Sequence, residues 1–508
     1  MRWEDTLISH HSFAGHLPRG LGHVVSIYCD ARPWKILAGK AAGEEKGLAP
    51  WEQDASQLLA YNASDVKLTA LAWQRMQPDL ESERHVYESD KRMAKFCQDL
   101  TLSGIGIDMA RQRELSKRLH ERKKVLGDQL QALAGKNFNP QSLIDVRKAL
   151  YRRLGQKVVL KTPTGLPKTN NEVLEHLRAK ETRAGRFADL LLRYRACDKT
   201  LGSYIDNVDP IGKRLHAPWK LGPITGRLAG PLMTLPRYGD DYETHVKEMY
   251  VAQKHPRARF VAQIHDAAVI EVAGRFFYFD LSQAEARIAA YFSGDANLIA
   301  ACESDIHLAN AIVAFGEIPE VLERLKRGGE KSPSGVVFKK LPASEGGCKE
   351  ERDVTKNVGF CVWYEGSAER AFVTLKSAGF PATMNACEEL VNRFHARYVD
   401  YYRYVDRNEA AAKEQGYIRT VLLGRRAFTG HLVERTFIAN YPIQSGIADV
   451  QNERLPLIED RLRKCSTVAD VKDLVAETFA RPIKVPHNGL EFVLPAEFKE
   501  GGRWSDFG

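Results

Sequence analysis

Two aspartates, Asp266 and Asp280, stand at or near the ends of apolar, β-branched or aromatic runs in FVAQIHDAAVIEVAGRFFYFDLSQAEAR, residues 260–287. Runs of that make-up read as strands, and the Ala273-Gly274 pair between them reads as a turn. Folded back antiparallel about that turn, the two carboxylates come nearly opposite each other on one sheet face. Opposed like charges destabilise a sheet, so a pair kept there calls for a compensating cation. The chemistry such a pair serves is a two-metal site for in-line phosphoryl displacement. The bland alternative makes one Asp a turn residue and the other the cap of a helix beginning near Ser282.

The next chemical cluster is ERDVTKNVGFCVWYEG (351–366), where Arg352, Lys356, Phe360 and Tyr364 follow one another at i, i+4. On a helix that spacing lines one face with two cations and then two aromatic rings. Any one of these residues alone more often belongs to a solvated basic face or a core stripe. Together they describe a helix that grips a polyphosphate with its cationic end and a base with its aromatic end. Arg can hold phosphate oxygens bidentately, and Lys supplies a mobile charge that can also give up a proton.

These residues carry a resemblance. DLSQAEAR (280–287) resembles motif A of the family A DNA polymerases, the DNA polymerase I family, here in a phage-like form, and RDVTKNVGFCVWYEG (352–366) is similar to motif B with all four spaced residues in place. SGDANLIAACESDIHLANAIVAFG (293–316), with its Asp305-Ile306-His307 triplet, resembles the segment that follows motif A. GYIRTVLLGRRAF (416–428) and ERTFIANYPIQSGIADV (434–450) resemble late palm segments, and KLGPITGRLAGPLMTLPR (220–237) the Thr-Gly-Arg entry to the palm. The likeness covers about four-fifths of the chain, and long motifs agreeing in type and order are hard to produce by chance.

The resemblance implies a multidomain α+β fold, the right-hand polymerase with palm, fingers and thumb, and template-directed extension of a primer 3′ end with dNTPs, releasing pyrophosphate. Asp266 and Asp280 would hold two Mg²⁺ ions, with Mn²⁺ as a substitute. Arg352, Lys356 and His307 would bind the triphosphate, Lys356 passing a proton to pyrophosphate, while Phe360 and Tyr364 stack beside the incoming base. Gln283 and Glu285 would lie beside the nucleotide, Glu285 where the family blocks a ribose 2′-hydroxyl. Arg227, Arg435, Asn440 and Gln444 would contact primer–template DNA, and His265 would face the primer end; Asn440 follows Arg435 by five residues where the family has four. Partners are then primer–template DNA and dNTPs, and beyond these a separate exonuclease subunit or a processivity factor.

The order of motifs departs from the family. There the metal-binding His-Asp of motif C comes last; here IHDAAVIEV (264–272) precedes motif A, and no other His-Asp pair occurs. ERLPLIEDRLRKCSTVADVKDLVAETFARPIKV (453–485) passes from one helical pattern to the next. The motifs therefore read as permuted to the order C, A, B, which a sheet tolerates because its strands need adjacency in space rather than a given chain order. Ala267 stands where motif C normally has Glu, so a third carboxylate is expected to be missing. The other reading makes IHDAAV an ordinary hairpin and motif C lost.

Four regions follow along the 508 residues. Residues 1–75 resemble the distal part of a proofreading exonuclease domain: Tyr61 and Asp65 match its last motif, four apart on a helix face, but the earlier carboxylates are missing, so no working exonuclease is expected from this chain. Residues 90–215 read as long charged amphipathic helices, the thumb, broken at GKNFNPQS (135–142) and KTPTGLPKTN (161–170), loops suited to a phosphate backbone. Palm is expected over 216–300, with motifs C and A, and again over 416–508, enclosing fingers with motif B over 301–415. Within the fingers, LKRGGEKSPSGVVFKKLPASEGGCKE (325–350) reads as an exposed, mobile basic insertion.

Composition agrees with these readings. A net charge of +9 suits a polyanionic partner. Eight scattered cysteines without a Cys-x-x-Cys pair speak against zinc and for a reducing compartment. No apolar run reaches membrane-spanning length and no signal-peptide pattern opens the chain, so a cytoplasmic protein of a bacterial or phage-infected cell, with no membrane partner, is expected. Two other functions stay open: a catalytically dead polymerase-like DNA-binding protein, and a single-subunit RNA polymerase, against which Phe360 and Glu285 speak.

Overall fold

The computed structural model describes residues 3–31, 55–158, 160–162, 164–178, 180–208, 210–222, 224–235, 246–429 and 433–507. Part of the expected N-terminal remnant (32–54) and the end of the Thr-Gly-Arg segment (236–237) lie outside the described residues. Helices α1 (Thr6–Ala14) and α2 (Leu21–Tyr28) pack on α3 (Ala55–Glu81), which leads into α4 (Arg84–Ser103). Ile8, Phe13, Val25, Met76 and Leu80 form a small core of their own, closed by Tyr87 of α4. Helices α5 (Met109–Ala134) and α6 (Arg183–Thr200) lie against each other. Asp108 starts α5 by accepting from the N–H groups of Ala110 and Arg111, and Gly135, at φ 109°, ends it. Among the described residues no helix covers 135–142 or 161–170, the two stretches whose Gly, Pro and Asn content reads as breaks.

A four-stranded antiparallel sheet carries both aspartates. Its strands are β1 (Arg259–Ile264), β2 (Ala267–Val272), β3 (Arg275–Leu281) and β4 (Ala496–Gly501), in the spatial order β4-β3-β2-β1. Ala273 and Gly274 join β2 to β3 with φ of 52° and 77°, the left-handed backbone a two-residue hairpin prefers. The β1–β2 turn is His265-Asp266, with His265 at φ 51°. A left-handed residue bearing a side chain costs about 1–2 kcal/mol, so it persists where its surroundings pin it. Here the Nε2 groups of Gln263 and Gln451 both donate to the His265 carbonyl, at 2.6 and 3.1 Å. β2 is buried along its whole length. The remaining elements position the site: α7 (Ala284–Ser293) leaves the end of β3, α8 (Ile306–Phe315) packs on α9 (Lys349–Trp363), and α10 (Arg435–Leu462) lies against α4, α7 and β1. Helix α11 (Val468–Phe479) packs on β3 and β4.

The segment 325–350 is tied in place, not loose as its composition suggests. Phe338 is buried with the Arg327 guanidinium 4.2 Å above its ring, and at the ends of the segment Leu325 and Cys348 form a small core with Ala311. Backbone N–H groups of Phe338, Lys339 and Cys348 donate to the carbonyls of Glu330, Gly328 and Phe338. The Gly and Ser residues make turns between apolar anchors that a compositional reading passes over. All eight cysteines are free, and among the described residues no single helix is long and apolar enough to cross a membrane.

Candidate active site

Asp280 on β3 pairs with Ala267 of β2 on one side and with Glu497 of β4 on the other. Asp266 stands one residue before Ala267, in the turn, so the two aspartates do not oppose each other across the ladder as expected. The two-residue turn at Ala273-Gly274 fixes this register, Val272 opposite Arg275 and Ala267 opposite Asp280, so Asp266 falls level with Leu281, whose N–H its carbonyl accepts at 3.2 Å. The carboxylates still feel each other. Burial first, then the charges of Glu285 and Asp280, lifts Asp266 to about 6 against the pull of Arg227. Asp280 is raised by burial and by Glu497, with Lys356 pulling it down.

A chain of polar contacts runs from the turn to α9. Arg227 Nη2 lies 3.3 Å from Asp266 Oδ1 and 3.3 Å from Glu285 Oε1. The other Glu285 oxygen accepts from the Tyr364 hydroxyl at 2.7 Å, and burial with the Glu285 charge holds that phenol far above its ordinary range. Gln283, in a left-handed conformation at φ 52°, is turned the other way: its Oε1 accepts the Ile306 N–H at 3.0 Å and so ties the start of α7 to α8.

Arg352, Lys356 and Phe360 share α9, and Tyr364 caps its C-terminal end, its N–H donating to the Phe360 carbonyl. Phe360 stacks on Tyr364, with centroids 6.2 Å apart and planes at 21°, and meets the His307 ring edge-on at 5.9 Å. Lys356 is exposed, and its charge reaches both Asp280 and His307. Burial and the Arg352 charge push His307 down to about 4, so it is neutral near pH 7. At the cationic end, Asp305 Oδ2 receives Arg352 Nη2 at 3.2 Å and Lys339 Nζ at 2.8 Å, while its Oδ1 caps α8 through the N–H groups of His307 and Leu308. Burial works to raise Asp305, but Lys339 and Arg352 outweigh it and hold it at about 2.

The late DNA-contact residues are not gathered together. Arg435 pairs with Glu365 at 3.0 Å, Asp406 at 2.7 Å and Glu409 at 2.6 Å. Asn440 and Gln444 are one turn apart on a different face of α10 from Arg435, because five residues overshoot a helical turn. Asn440 Oδ1 is buried without a hydrogen-bond partner. His265 is exposed at its turn. Tyr61 and Asp65 lie on α3, where the Tyr61 hydroxyl bonds Asp65 and burial with that bond raises the phenol. Three residues escaped the sequence reading. Gln451 lies two turns beyond Gln444 on the same helix, which is a signal of a kind. Lys339 was visible only as part of a basic insertion, and nothing in the sequence marked Glu497.

The site fits a hard divalent cation. Asp266 Oδ1 is buried and completes no hydrogen bond, although Arg227 stands beside it. Among the described residues no group of three or more His, Cys, Asp or Glu is placed to enclose a metal. A two-carboxylate edge suits Mg²⁺, which keeps water and draws further ligands from substrate phosphates.

A family model described as DNA polymerase family A matches residues 109–476. DNA polymerase I of Chloroflexus aurantiacus is 28% identical over 437 residues, covering 81% of this chain and 41% of that one. DNA polymerase I of Pseudomonas aeruginosa is 24% identical over 538 residues, covering 99% and 52%, and the thermostable DNA polymerase I of Thermus aquaticus 24% over 431 residues, covering 82% and 45%. The chain thus spans about half the length, or less, of these curated relatives. Among solved structures, the POL domain of Pol1 from M. smegmatis, in complex with DNA primer-template and dNTP, superposes with a TM-score of 0.71 at 18% identity, over 99% of this chain and 82% of that one. At that identity the likeness speaks for the fold.

Proposed function

This chain belongs to DNA polymerase family A, and we propose that it extends a DNA primer on a template, transferring nucleotidyl units from dNTPs and releasing pyrophosphate. The observation that carries the reading is the convergence of three elements: the turn bearing Asp266, the strand bearing Asp280, and the α9 face bearing Arg352, Lys356 and Phe360 with Tyr364 at its C-terminal end. In this reading the sheet with α10 and α11 is palm, α8 and α9 belong to the fingers, and α5 and α6 to the thumb. IHDAAVIEV then serves as motif C ahead of motif A; the pairing of β2 with β3 supports that assignment, because it sets Asp266 beside Asp280 whatever the chain order.

Asp266 and Asp280 would hold Mg²⁺, two ions in the two-metal scheme, with Mn²⁺ as a substitute. When bound, the metal supplies activation of the primer 3′-hydroxyl and neutralises charge on the leaving pyrophosphate. The protein's own groups do the rest. Arg352 leaves Asp305 for phosphate oxygens, and Lys356, exposed and close to Asp280, gives a proton to the departing pyrophosphate. Neutral His307 donates a hydrogen bond without adding charge. Phe360 and Tyr364 present one continuous stacked surface to the base, each stack contributing about 1–3 kcal/mol. Glu285, held by Tyr364 and Arg227, stands against a ribose 2′-hydroxyl.

The experiment is primer extension in Mg²⁺ with Asp266→Ala and Asp280→Ala. Both variants should lose extension by at least about a thousandfold while binding primer–template DNA nearly as well as the parent, since duplex affinity comes mainly from dispersed phosphate contacts. Parent-like extension by either variant overturns the assignment. A parent chain that binds DNA and extends nothing returns the dead-polymerase reading.

A further inference from the structure

We propose that Lys339 is a phosphate-binding residue for the incoming nucleotide, delivered to the cationic end of α9 by the segment 325–350; the inference rests on the nucleotidyl-transfer reading above. Lys339 Nζ and Arg352 Nη2 both sit on one oxygen, Asp305 Oδ2, at 2.8 and 3.2 Å. The two cations are therefore at most about 6 Å apart, a span one phosphate group bridges with two charge-assisted hydrogen bonds. The two cations share Asp305, and Arg352 Nη1 also lies 3.7 Å from Asp353 Oδ1, so the positive excess at this end of α9 comes from Lys356. Both cationic side chains remain about a quarter exposed, at 28% and 26%, whereas Asp305 is nearly covered at 11%. An arriving polyphosphate thus meets the cations first.

The backbone aims Lys339 there. Its N–H donates to the Gly328 carbonyl at 2.9 Å, and its neighbour Phe338 is buried under Arg327. Those anchors also argue against a purely structural lysine. The segment is already held by Phe338, Cys348 and its backbone bonds, and one partly exposed ion pair adds little to that. A lysine stem reaches a few ångströms either way by rotation, so the head can pass from Asp305 to a phosphate oxygen without moving the segment.

The test compares the full chain with Lys339→Ala, Lys339→Arg and Asp305→Asn in single-nucleotide incorporation on primer–template DNA. Competition by inorganic tripolyphosphate is measured alongside. Lys339→Ala should raise the KM for dNTP and the inhibition constant of tripolyphosphate by about five- to tenfold, the low end for a hydrogen bond between charges because the head is partly in water. Lys339→Arg should restore most of both. Asp305→Asn keeps an oxygen to cap α8 but releases both cations, so it should lower the KM. A lysine that merely anchors the segment predicts the opposite: Asp305→Asn would raise the KM as Lys339→Ala does. That result, or a KM unchanged in Lys339→Ala, overturns the inference. A parent chain that neither extends primers nor is inhibited by tripolyphosphate would instead overturn the reading on which it rests.

Discussion

Glu285 is held in place by two bonds of unequal strength, and that inequality fixes how sugar selection should respond to mutation. The Tyr364 hydroxyl donates to it at 2.7 Å in a half-buried setting, a hydrogen bond to a charged group worth about 1.5–3 kcal/mol. Arg227 stands at 3.3 Å and is shared with Asp266, which limits its share to about 0.5–1 kcal/mol. A ribose 2′-hydroxyl that must push this carboxylate aside therefore meets resistance of about 2–4 kcal/mol, or some thirty- to thousandfold in relative rate. Glu285→Ala removes the obstacle, and ribonucleotide incorporation relative to deoxynucleotide should rise at least about thirtyfold. Tyr364→Phe keeps the obstacle but cuts its stronger tether, so discrimination should fall by an intermediate factor, nearer to Glu285→Ala than to the parent. Matched ribo- and deoxynucleotide single-turnover kinetics read all three chains. If Tyr364→Phe discriminates like the parent while Glu285→Ala does not, the tether argument is wrong. Equal use of both sugars by the parent would remove Glu285 from the role altogether and revive an RNA polymerase reading.

Other consequences are independent of sugar choice. Phe360 presents a ring without a hydroxyl, so Phe360→Tyr should raise dideoxynucleotide incorporation by about tenfold, one buried hydrogen bond's worth, and an unchanged terminator preference would remove the ring from the sugar's neighbourhood. Asp90 and Arg425 form a bidentate pair at 2.6 and 2.9 Å with both side chains 2% exposed, joining α4 to the segment 416–428. Asp90→Ala strands a buried guanidinium and should cost about 3–5 kcal/mol in urea denaturation, while Asp90→Leu with Arg425→Met recovers most of that; a loss in the double variant equal to the sum of the single losses would contradict it. Burial, with Asp99 close by, raises Glu459 to about 7. The fold thus holds this proton more tightly than the unfolded chain does, so the stability it confers is present below the ordinary glutamate range and disappears as pH rises to about 7. Glu459→Gln should gain about 1–2 kcal/mol over the parent at about pH 8 and little at about pH 4; parallel denaturation profiles at the two pH values would rule the titration out.

What could be read from the chain beforehand was whatever a local pattern records. The β2–β3 hairpin follows from Ala273-Gly274 between two strand-like runs, and the α9 face from a strict four-residue spacing. The helical breaks at 135–142 and 161–170 follow from their Gly, Pro and Asn residues. Asp266 was expected across from Asp280, but the two-residue turn at Ala273-Gly274 sets Asp280 opposite Ala267 and leaves Asp266 one step along, a local count rather than a distant contact. The other misses are long-range. Ala267 stands where motif C normally has Glu, as expected; an acid that no motif marked, Glu497 on β4, pairs with Asp280 from the other side. The insertion looked loose because Gly, Ser and Lys dominate it, while two buried residues, Phe338 and Cys348, decide its path. Arg435 was grouped with Asn440 and Gln444 by resemblance, yet a single extra residue in a helix turns a side chain by about 100° and leaves Arg435 among three acids.

The hairpin that carries both aspartates also bears on how the site is held together. Asp266 and Asp280 come from adjacent strands of one hairpin system, so the carboxylate pair is set by local contacts and would form early in folding. Local contacts alone cannot make that pair comfortable: burial raises both carboxylates, and each feels at least one further acid, Glu285 for Asp266 and Glu497 for Asp280. The opposing charges all arrive from elsewhere. Arg227 comes from the segment before β1, Lys356 from α9 beyond the insertion, and Lys499 from β4. Two of these cations would also have work at the proposed nucleotide: Arg227 braces Glu285, and Lys356 would face the triphosphate. The carboxylates are thus relieved by the groups that a nucleotide and its metal ions would draw away or replace. A site built this way is least stable when its cations are recruited and no metal has arrived, so metal and nucleotide should bind with positive coupling, each tightening the other. Nucleotide affinity measured across a Mg²⁺ titration on a terminated primer would register that coupling, and independent binding of the two would break the argument.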